Sequence, residues 1–306
     1  MDEIYDLLII GSGPAGLAAA IYAQRARMRA AVIEKLPASG GQVLNTVDVD
    51  NYPGLPGVGG YELGLKFREH ADHLGAVFLD DEIKEIKEQK GRKLLIGAKG
   101  TYLAKAAIIA TGAMHRELGV PGEEELKGRG VSYCATCDGA FFRNKTVAVV
   151  GGGDVALEDG IFLSRMCKKV YLIHRRDRLR GARSLQETFL SRDNGEVLWD
   201  TVVEEIRGEG RVEEIGLKDV KTGQAFSLPV QGVFVAVGIV PQSGAFAGLV
   251  EMEDGHIRAG EDCVTSVPGI FAAGDVRTTP LRQVLTAAAD GANAVASAER
   301  YLESIR

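Results

Sequence analysis

Cysteine is scarce, with four in 306 residues, far too few for the disulfide framework of a small secreted domain. Long apolar runs are missing as well, and no stretch reaches the roughly 20 residues a membrane-spanning helix needs. The opening MDEIYDLLIIG is acidic and then strand-like, without the basic and apolar regions of a secretory signal. Nor is there an excess of positive charge. The formal net charge of −6 argues against general nucleic-acid binding and leaves only local basic clusters to consider. At 45% apolar and 25% charged residues, the chain can bury a core and is not disordered. A cytoplasmic globular protein with room for two domains is expected.

What the chain has in plenty is glycine, 39 residues, several at fixed spacings. Residues 7–35 read LLIIGSGPAGLAAAIYAQRARMRAAVIEK, and residues 147–176 read VAVVGGGDVALEDGIFLSRMCKKVYLIHRR. A shift of 140 lays one on the other without a gap: Gly11 on Gly151, Gly13 on Gly153, Gly16 on Ala156, Glu34 on His174. Each copy is a β-rich run, a glycine turn, an amphipathic helix and a second apolar run, which is a βαβ unit. The first glycine makes the tight turn, the second admits a pyrophosphate, and the third small residue lets helix and strand pack. The helix N-terminus supplies free N–H groups to the anion. Pro14 suits an early helical position, where no N–H bond is lost.

The two copies differ where the second strand ends. Glu34 places a carboxylate to accept from ribose hydroxyls, which suits an adenosine without a 2′-phosphate. The second copy has HRRDRLRG there, with Arg175, Arg176 and Arg180, whose guanidinium forks grip a 2′-phosphate. The second site thus points to NADP(H) and the first to another adenine dinucleotide. Residues 81–99 and 202–220 both pattern as antiparallel strands, and AAIIATGA and GVFVAVG close the two copies. The run GIFAAGDV at 269–276 would return to the first domain and bring Asp275 to its dinucleotide. The expected fold is α/β: two Rossmann-like domains of three-layer ββα type, the second inserted in the first. The expected spans are 1–114 with 244–306, and 115–243.

Between the copies lies VSYCATCDGAFF, residues 131–142. Zinc needs more ligands than Cys134 and Cys137 supply, and Cys167, Cys263 and the histidines are scattered. No metal site is expected, and Cys167 and Cys263 read as unpaired, buried thiols. As a structural staple the pair would be reduced in a cytosol and would constrain little of the unfolded chain. Thiol–disulfide exchange, in contrast, needs an attacking and a resolving thiol within bonding reach, which two intervening residues provide. Asp138 offers a proton source beside the pair, or serves as a turn residue. Phe141, Phe142 and Arg129 form either a docking patch for a protein partner or ordinary core and surface.

These motifs together closely resemble the low-molecular-weight thioredoxin reductases. The likeness runs through GSGPAG at 11–16, GGQ at 40–42, NYPG at 51–54, ATGA at 110–113, CATCDG at 134–139, GGGDVA at 151–156, HRRDRLR at 174–180, GIFAAGDV at 269–276 and RQV at 282–284. It implies FAD in the first domain, NADPH in the second, a homodimer, and thioredoxin as partner. It further implies that Gly11, Ser12, Gly13, Pro14, Ala15, Gly16, Glu34, Lys35, Gly41, Gln42, Asn51, Thr111, Gly112, Gly274, Asp275, Arg282, Gln283 and Val284 line the FAD site. Gly151, Gly153, Asp154, Val155, Ala156, His174, Arg175, Arg176 and Arg180 would line the NADPH site. By the same resemblance Cys137 lies nearer the flavin, Cys134 attacks thioredoxin, and Asp138 handles the proton.

Departures from the family pattern are Val155 for a usual serine, Asp50 for a common glutamate, Ile239 for a frequent histidine, and Ala289 for a frequent glycine. Only Val155 bears on cofactor choice, by removing one hydroxyl from the NADPH loop. One short cysteine motif must serve both a flavin and an external protein, so the inserted domain is expected to rotate, with hinges near 113–119 and 240–245. Two other readings keep the thiols but change the partner: a ferredoxin- or NADH-fed disulfide reductase, and a dithiol oxidase running in the opposite sense. Intact dinucleotide motifs disfavour ferredoxin.

Overall fold

A computed structural model describes residues 4–46, 49 and 51–305; Asp50 lies outside them. The chain divides into two units, Met1–Met114 with Val240–Arg306, and His115–Ile239. In the first unit β1 (Ile4–Ile10), β2 (Ala30–Glu34), β3 (Val77–Asp80) and β6 (Thr101–Ile109) run parallel. The hairpin of β4 (Ile83–Gln89) and β5 (Arg92–Gly97) extends the sheet antiparallel, in the order β3-β2-β1-β6-β5-β4. Helix α1 (Pro14–Arg25) follows β1, and α2 (Gly60–His73) precedes β3.

Strand alternation sorts the side chains into layers. Leu7, Ile9, Ala106 and Ile108 cluster with Leu17 and Ala20 of α1. Their neighbours Leu8, Ile10, Ala107 and Ile109 cluster with Ile83, Ile86 and Leu95 of the hairpin. Both faces of the parallel strands are therefore apolar, as a covered parallel sheet requires.

The chain crosses to the second unit within the short strand β7 (Ala113–His115). That unit holds a wholly parallel sheet of β8 (Val131–Ser132), β9 (Thr146–Gly151), β10 (Lys169–Ile173), β11 (Gly195–Leu198) and β15 (Gly232–Ala236), in the order β11-β10-β9-β15-β8. Its helices are α3 (Ala135–Asp138), α4 (Asp154–Ser164) and α5 (Arg183–Leu190). An antiparallel sheet of β12 (Thr201–Arg207), β13 (Glu214–Asp219) and β14 (Ala225–Pro229) covers the other face. The sorting repeats: Val147 and Val149 pack with Ala156, Leu157 and Phe189, and Ala148 and Val150 with Val203, Ile206, Ile215 and Leu217.

The return crossing lies in β16 (Ile239–Pro241). It precedes the hairpin of β17 (Met252–Glu253) and β18 (His256–Ile257), then β19 (Ile270–Ala272), which joins β6 in parallel, and α6 (Val284–Ser304). The first unit resumes at Val240 rather than at 244. The reason is local: the Gln242 N–H donates to the Gly112 carbonyl at 2.9 Å, and the Gln242 carbonyl accepts from Thr111 Oγ1 at 2.6 Å.

Each unit is thus helices, parallel sheet and antiparallel β layer, the second inserted in the first, as the duplicated glycine pattern leads one to expect. The turn after β1 shows why glycine is needed. A Cβ on Gly11, whose φ is +102°, would lie 2.5 Å from the Ala110 carbonyl oxygen, and one on Gly16 would lie 1.9 Å from that of Gly11.

Candidate functional site

Cys134 and Cys137 form a disulfide, with Cα atoms 5.3 Å apart. The short β8 delivers Cys134 to the start of α3, and the Asp138 N–H closes that turn on the Cys134 carbonyl at 3.1 Å. Beneath the pair is buried Ser132, a residue the sequence did not mark. Its hydroxyl donates to Asp138 Oδ2 at 2.6 Å and accepts from the Cys134 N–H at 3.1 Å. One hydroxyl thus fixes both the acid and the backbone of the first cysteine.

The next residue is tied down as well. The Tyr133 hydroxyl donates to buried Glu123 at 2.9 Å, and the same carboxylate accepts from the N–H groups of Leu118 and Gly119. Burial and that carboxylate push the Tyr133 phenol well up.

The other two cysteines are free and buried. Burial pushes Cys167 up to about 11. Burial, reinforced by Asp290, pushes Cys263 up to about 12. At neutral pH neither presents a thiolate, the reactive form, so thiol chemistry rests on the disulfide pair. Phe142 is buried edge-on against Phe234, whereas Phe141 is exposed; of the three flanking residues the sequence singles out, Phe141 and Arg129 are on the surface and Phe142 is core. Among the described residues no group of His, Cys, Asp and Glu could hold a metal ion, and no helix is long and apolar enough to cross a membrane.

In the first unit several of the expected dinucleotide residues contact one another, and Lys35 does not join them. Glu34, at the end of β2, accepts at Oε2 from the Ser12 N–H at 2.7 Å and the Ser12 hydroxyl at 2.8 Å. The Gly40 N–H donates to the Ser12 carbonyl at 2.8 Å, seating Gly41 and Gln42 against the glycine turn, and Gln42 Nε2 donates to the Ala113 carbonyl. Asn51 donates to Gln283 at 2.8 Å. Gly274 sits over Ala15, so close that an added Cβ would lie 3.0 Å from the Ala15 methyl. Asp275 is pushed up to about 6, mainly by burial, with Arg282 opposing. Lys35 points outward in a loose pair with Glu82 at 3.7 Å. Val284 begins α6.

A further group here was not foreseen. Arg277 and Asp290 form a two-pronged buried ion pair, at 2.7 and 2.6 Å, and Asp290 also accepts from the Gly274 N–H at 2.9 Å.

In the second unit Arg175, Arg176 and Arg180 line one pocket of about 410 Å³, together with Asp177, Arg178, Leu179, Asp200 and Lys221. His174 plays another part. Its ring is buried, with Nδ1 3.1 Å from the Gly151 carbonyl and Nε2 2.9 Å from the Arg178 carbonyl. It clasps the glycine turn to the arginine loop. Two further bonds do the same: the Arg180 N–H to the Gly152 carbonyl at 2.7 Å, and the Ala182 N–H to Asp154 at 2.6 Å. Val155, in the first turn of α4, is exposed.

Both α1 and α4 begin at a glycine with no side-chain cap, which leaves N–H donors for an anion. In the first unit, Arg282 Nε is buried without a hydrogen-bond partner among the described residues. These donors fit acidic dinucleotides.

Comparison with known proteins decides the family. The model for pyridine nucleotide-disulphide oxidoreductases matches residues 5–291. The chain belongs to that family. A thioredoxin reductase of Listeria innocua serovar 6a is 46% identical over 100% of this chain and 96% of its own length. That of Bacillus subtilis strain 168 is 45% identical over 100% of this chain and 97% of its own. The solved thioredoxin reductase of Streptococcus pyogenes MGAS5005 superposes with a TM-score of 0.94 at 45% identity, covering 99% of this chain and all of that one. Membership makes the chain an oxidoreductase with two dinucleotide-binding domains, and implies a flavin and a nicotinamide cofactor.

Proposed function

We propose that the chain is an NADPH-dependent, FAD-containing reductase of thioredoxin, with FAD in the first unit and NADPH in the second. The observation that carries this reading is the Cys134–Cys137 disulfide, with its serine-held acid, in the same unit as an arginine-lined pocket behind a dinucleotide turn. In the first unit the uncapped start of α1 would take the FAD pyrophosphate, Glu34 the ribose hydroxyls, and Asp275, Arg282 and the Asn51–Gln283 pair the remainder. In the second, the start of α4 would take the NADPH pyrophosphate and the arginines its 2′-phosphate. When bound, the two cofactors would supply hydride and two-electron chemistry that ends at the Cys134–Cys137 disulfide.

The thiols then act on their own. Reduction opens the disulfide to a dithiol, and the Cys134 thiolate attacks one sulfur of the thioredoxin disulfide, forming a mixed disulfide. Cys137 attacks Cys134 Sγ in turn, which releases reduced thioredoxin and restores the starting bond. The departing thiolate needs a proton, which Asp138, held by the Ser132 hydroxyl, would supply. Since one pair must serve a flavin and an external protein, the second unit would rotate, with hinges at 113–119 and 240–245. The family resemblance adds a homodimer, to be checked by sedimentation, and the scarcity of cysteine suits a cytoplasmic location.

The direct test is an anaerobic NADPH titration that follows the visible flavin band and free thiols together. Bleaching with two new thiols supports the route. Bleaching without them would make the pair a bystander, and no response to NADPH when dithionite reduces everything would move the donor to ferredoxin. The nucleotide assignment has its own test. Replacing Arg175, Arg176 and Arg180 with alanine is expected to raise KM for NADPH about a thousandfold, three charged hydrogen bonds at roughly tenfold each. KM for NADH should barely move; equal losses for both would remove the 2′-phosphate role.

A further inference from the structure

We propose that Lys221, outside every motif of the dinucleotide sites, is a further specificity-determining residue for the phosphorylated dinucleotide: its ammonium completes the cationic wall that receives the 2′-phosphate. The proposal rests on the reading that the arginine pocket takes NADPH.

The lysine arrives from a separate element. It lies at the tip of the β13–β14 hairpin, where Asp219 Oδ1 accepts from the N–H groups of Lys221 at 2.9 Å and Thr222 at 2.7 Å. Asp219 and Gln224 close the turn through a 2.9 Å backbone bond, and Gly223 takes the positive φ of 74° that the turn demands. The tip is therefore a defined turn. It is also anchored toward the pocket: the Val220 N–H donates to the Asp200 carbonyl at 2.7 Å, and the Asp200 N–H to the Arg176 carbonyl at 3.3 Å. Two backbone bonds thus connect Lys221 to the arginine loop, and its side chain lines the same pocket.

Charge gives the arrangement its sense. Five cations and two carboxylates line the pocket. Among the described residues the guanidinium groups of Arg175, Arg176, Arg178 and Arg180 form no hydrogen bond or ion pair, so they are available to a dianion. Asp200 works the other way. Its carboxylate, only 16% exposed, would repel a phosphate and could accept from a free 2′-hydroxyl. Lys221 covers it, with Nζ 2.7 Å from Asp200 Oδ2 and 4.0 Å from Asp177 Oδ2. One ammonium therefore both adds a donor and masks the carboxylate that would favour the unphosphorylated dinucleotide. The opposing view is that this is an ordinary exposed hairpin ion pair, of the kind that contributes little.

Calorimetric titration of the intact flavoprotein with 2′,5′-ADP and with 5′-AMP separates the two. Lys221→Met is expected to weaken 2′,5′-ADP about tenfold, the loss of one charged hydrogen bond, with 5′-AMP unchanged. Lys221→Arg should stay near the parent, and adding Asp200→Asn to Lys221→Met should recover part of the loss. Arg176→Ala is the reference. If it discriminates the 2′-phosphate and Lys221→Met does not, or if Lys221→Met weakens both ligands equally, the role of Lys221 is overturned alone. If Arg176→Ala leaves 2′,5′-ADP binding intact, the NADPH reading of the pocket falls with it.

Discussion

Cys137→Ser is expected to lower turnover of oxidised thioredoxin by about a thousandfold or more, the scale on which loss of an obligate covalent partner acts. NADPH should still bleach the flavin of the variant, since nothing upstream of the disulfide has changed. Cys134→Ser should lose turnover equally, and the two variants should differ in what they trap. With Cys137 gone, Cys134 can attack a substrate disulfide but nothing resolves the product, so a dithiothreitol-sensitive adduct of both proteins should accumulate. With Cys134 gone, the proposed attacker is missing and the adduct should be faint. Non-reducing electrophoresis reads the difference directly. A strong adduct only in Cys134→Ser would exchange the two roles. Substantial turnover in both would remove the thiol pair from the reaction, since burial holds Cys167 near 11 and Cys263 near 12 and neither can replace it.

Most of the fold could be read in the sequence because two short-range rules repeat. Gly11, Gly13 and Gly16 and their counterparts 140 residues on mark close backbone approaches that only small residues allow. The period-two alternation of Leu7 to Ile10 and of Val147 to Val150 sorts each parallel sheet into a helix face and a face covered by antiparallel strands. What escaped are partnerships between distant residues. Lys221 reads as an ordinary hairpin lysine until the turn is seen tied to Asp200. Ser132 is one more hydroxyl until its bond to Asp138 is measured. His174 sits where Glu34 sits in the first copy, and position alone assigns it to the nucleotide. The structure turns its ring under the loop, toward two carbonyls. Phe141 and Phe142 could not be told apart by type, yet one is core and the other surface. Asp290 left a trace that was missed: with Ala287, Gly291, Ala294 and Ala298 it lies on the buried stripe of α6, where an acid needs a partner.

Breaking that partnership carries the largest expected effect on stability. Arg277 and Asp290 are 7% and 8% exposed, and burial alone would push the Arg277 guanidinium down. The two-pronged bond to Asp290 outweighs burial and leaves its pKa raised. A lone Arg277→Met therefore strands a buried carboxylate, and a lone Asp290→Leu a buried guanidinium. Each is expected to cost about 3–5 kcal/mol, a large share of the roughly 5–15 kcal/mol that holds a domain folded. Replacing both with Met and Leu should cost less than either single change, because no charge is left uncompensated. Recovery should still be incomplete. Asp290 also accepts from the Gly274 N–H, and an orphaned buried donor costs about 1–3 kcal/mol. That residual falls on the segment bearing Asp275, so the double variant should release flavin at lower urea than the parent while its helical signal persists. Urea titration followed by flavin fluorescence and by far-ultraviolet dichroism measures both. Single-variant losses that simply add in the double would mean that the two charges do not act as a pair. Coincident flavin release and unfolding in the double variant would mean that Asp290 holds the fold but does not shape the flavin loop.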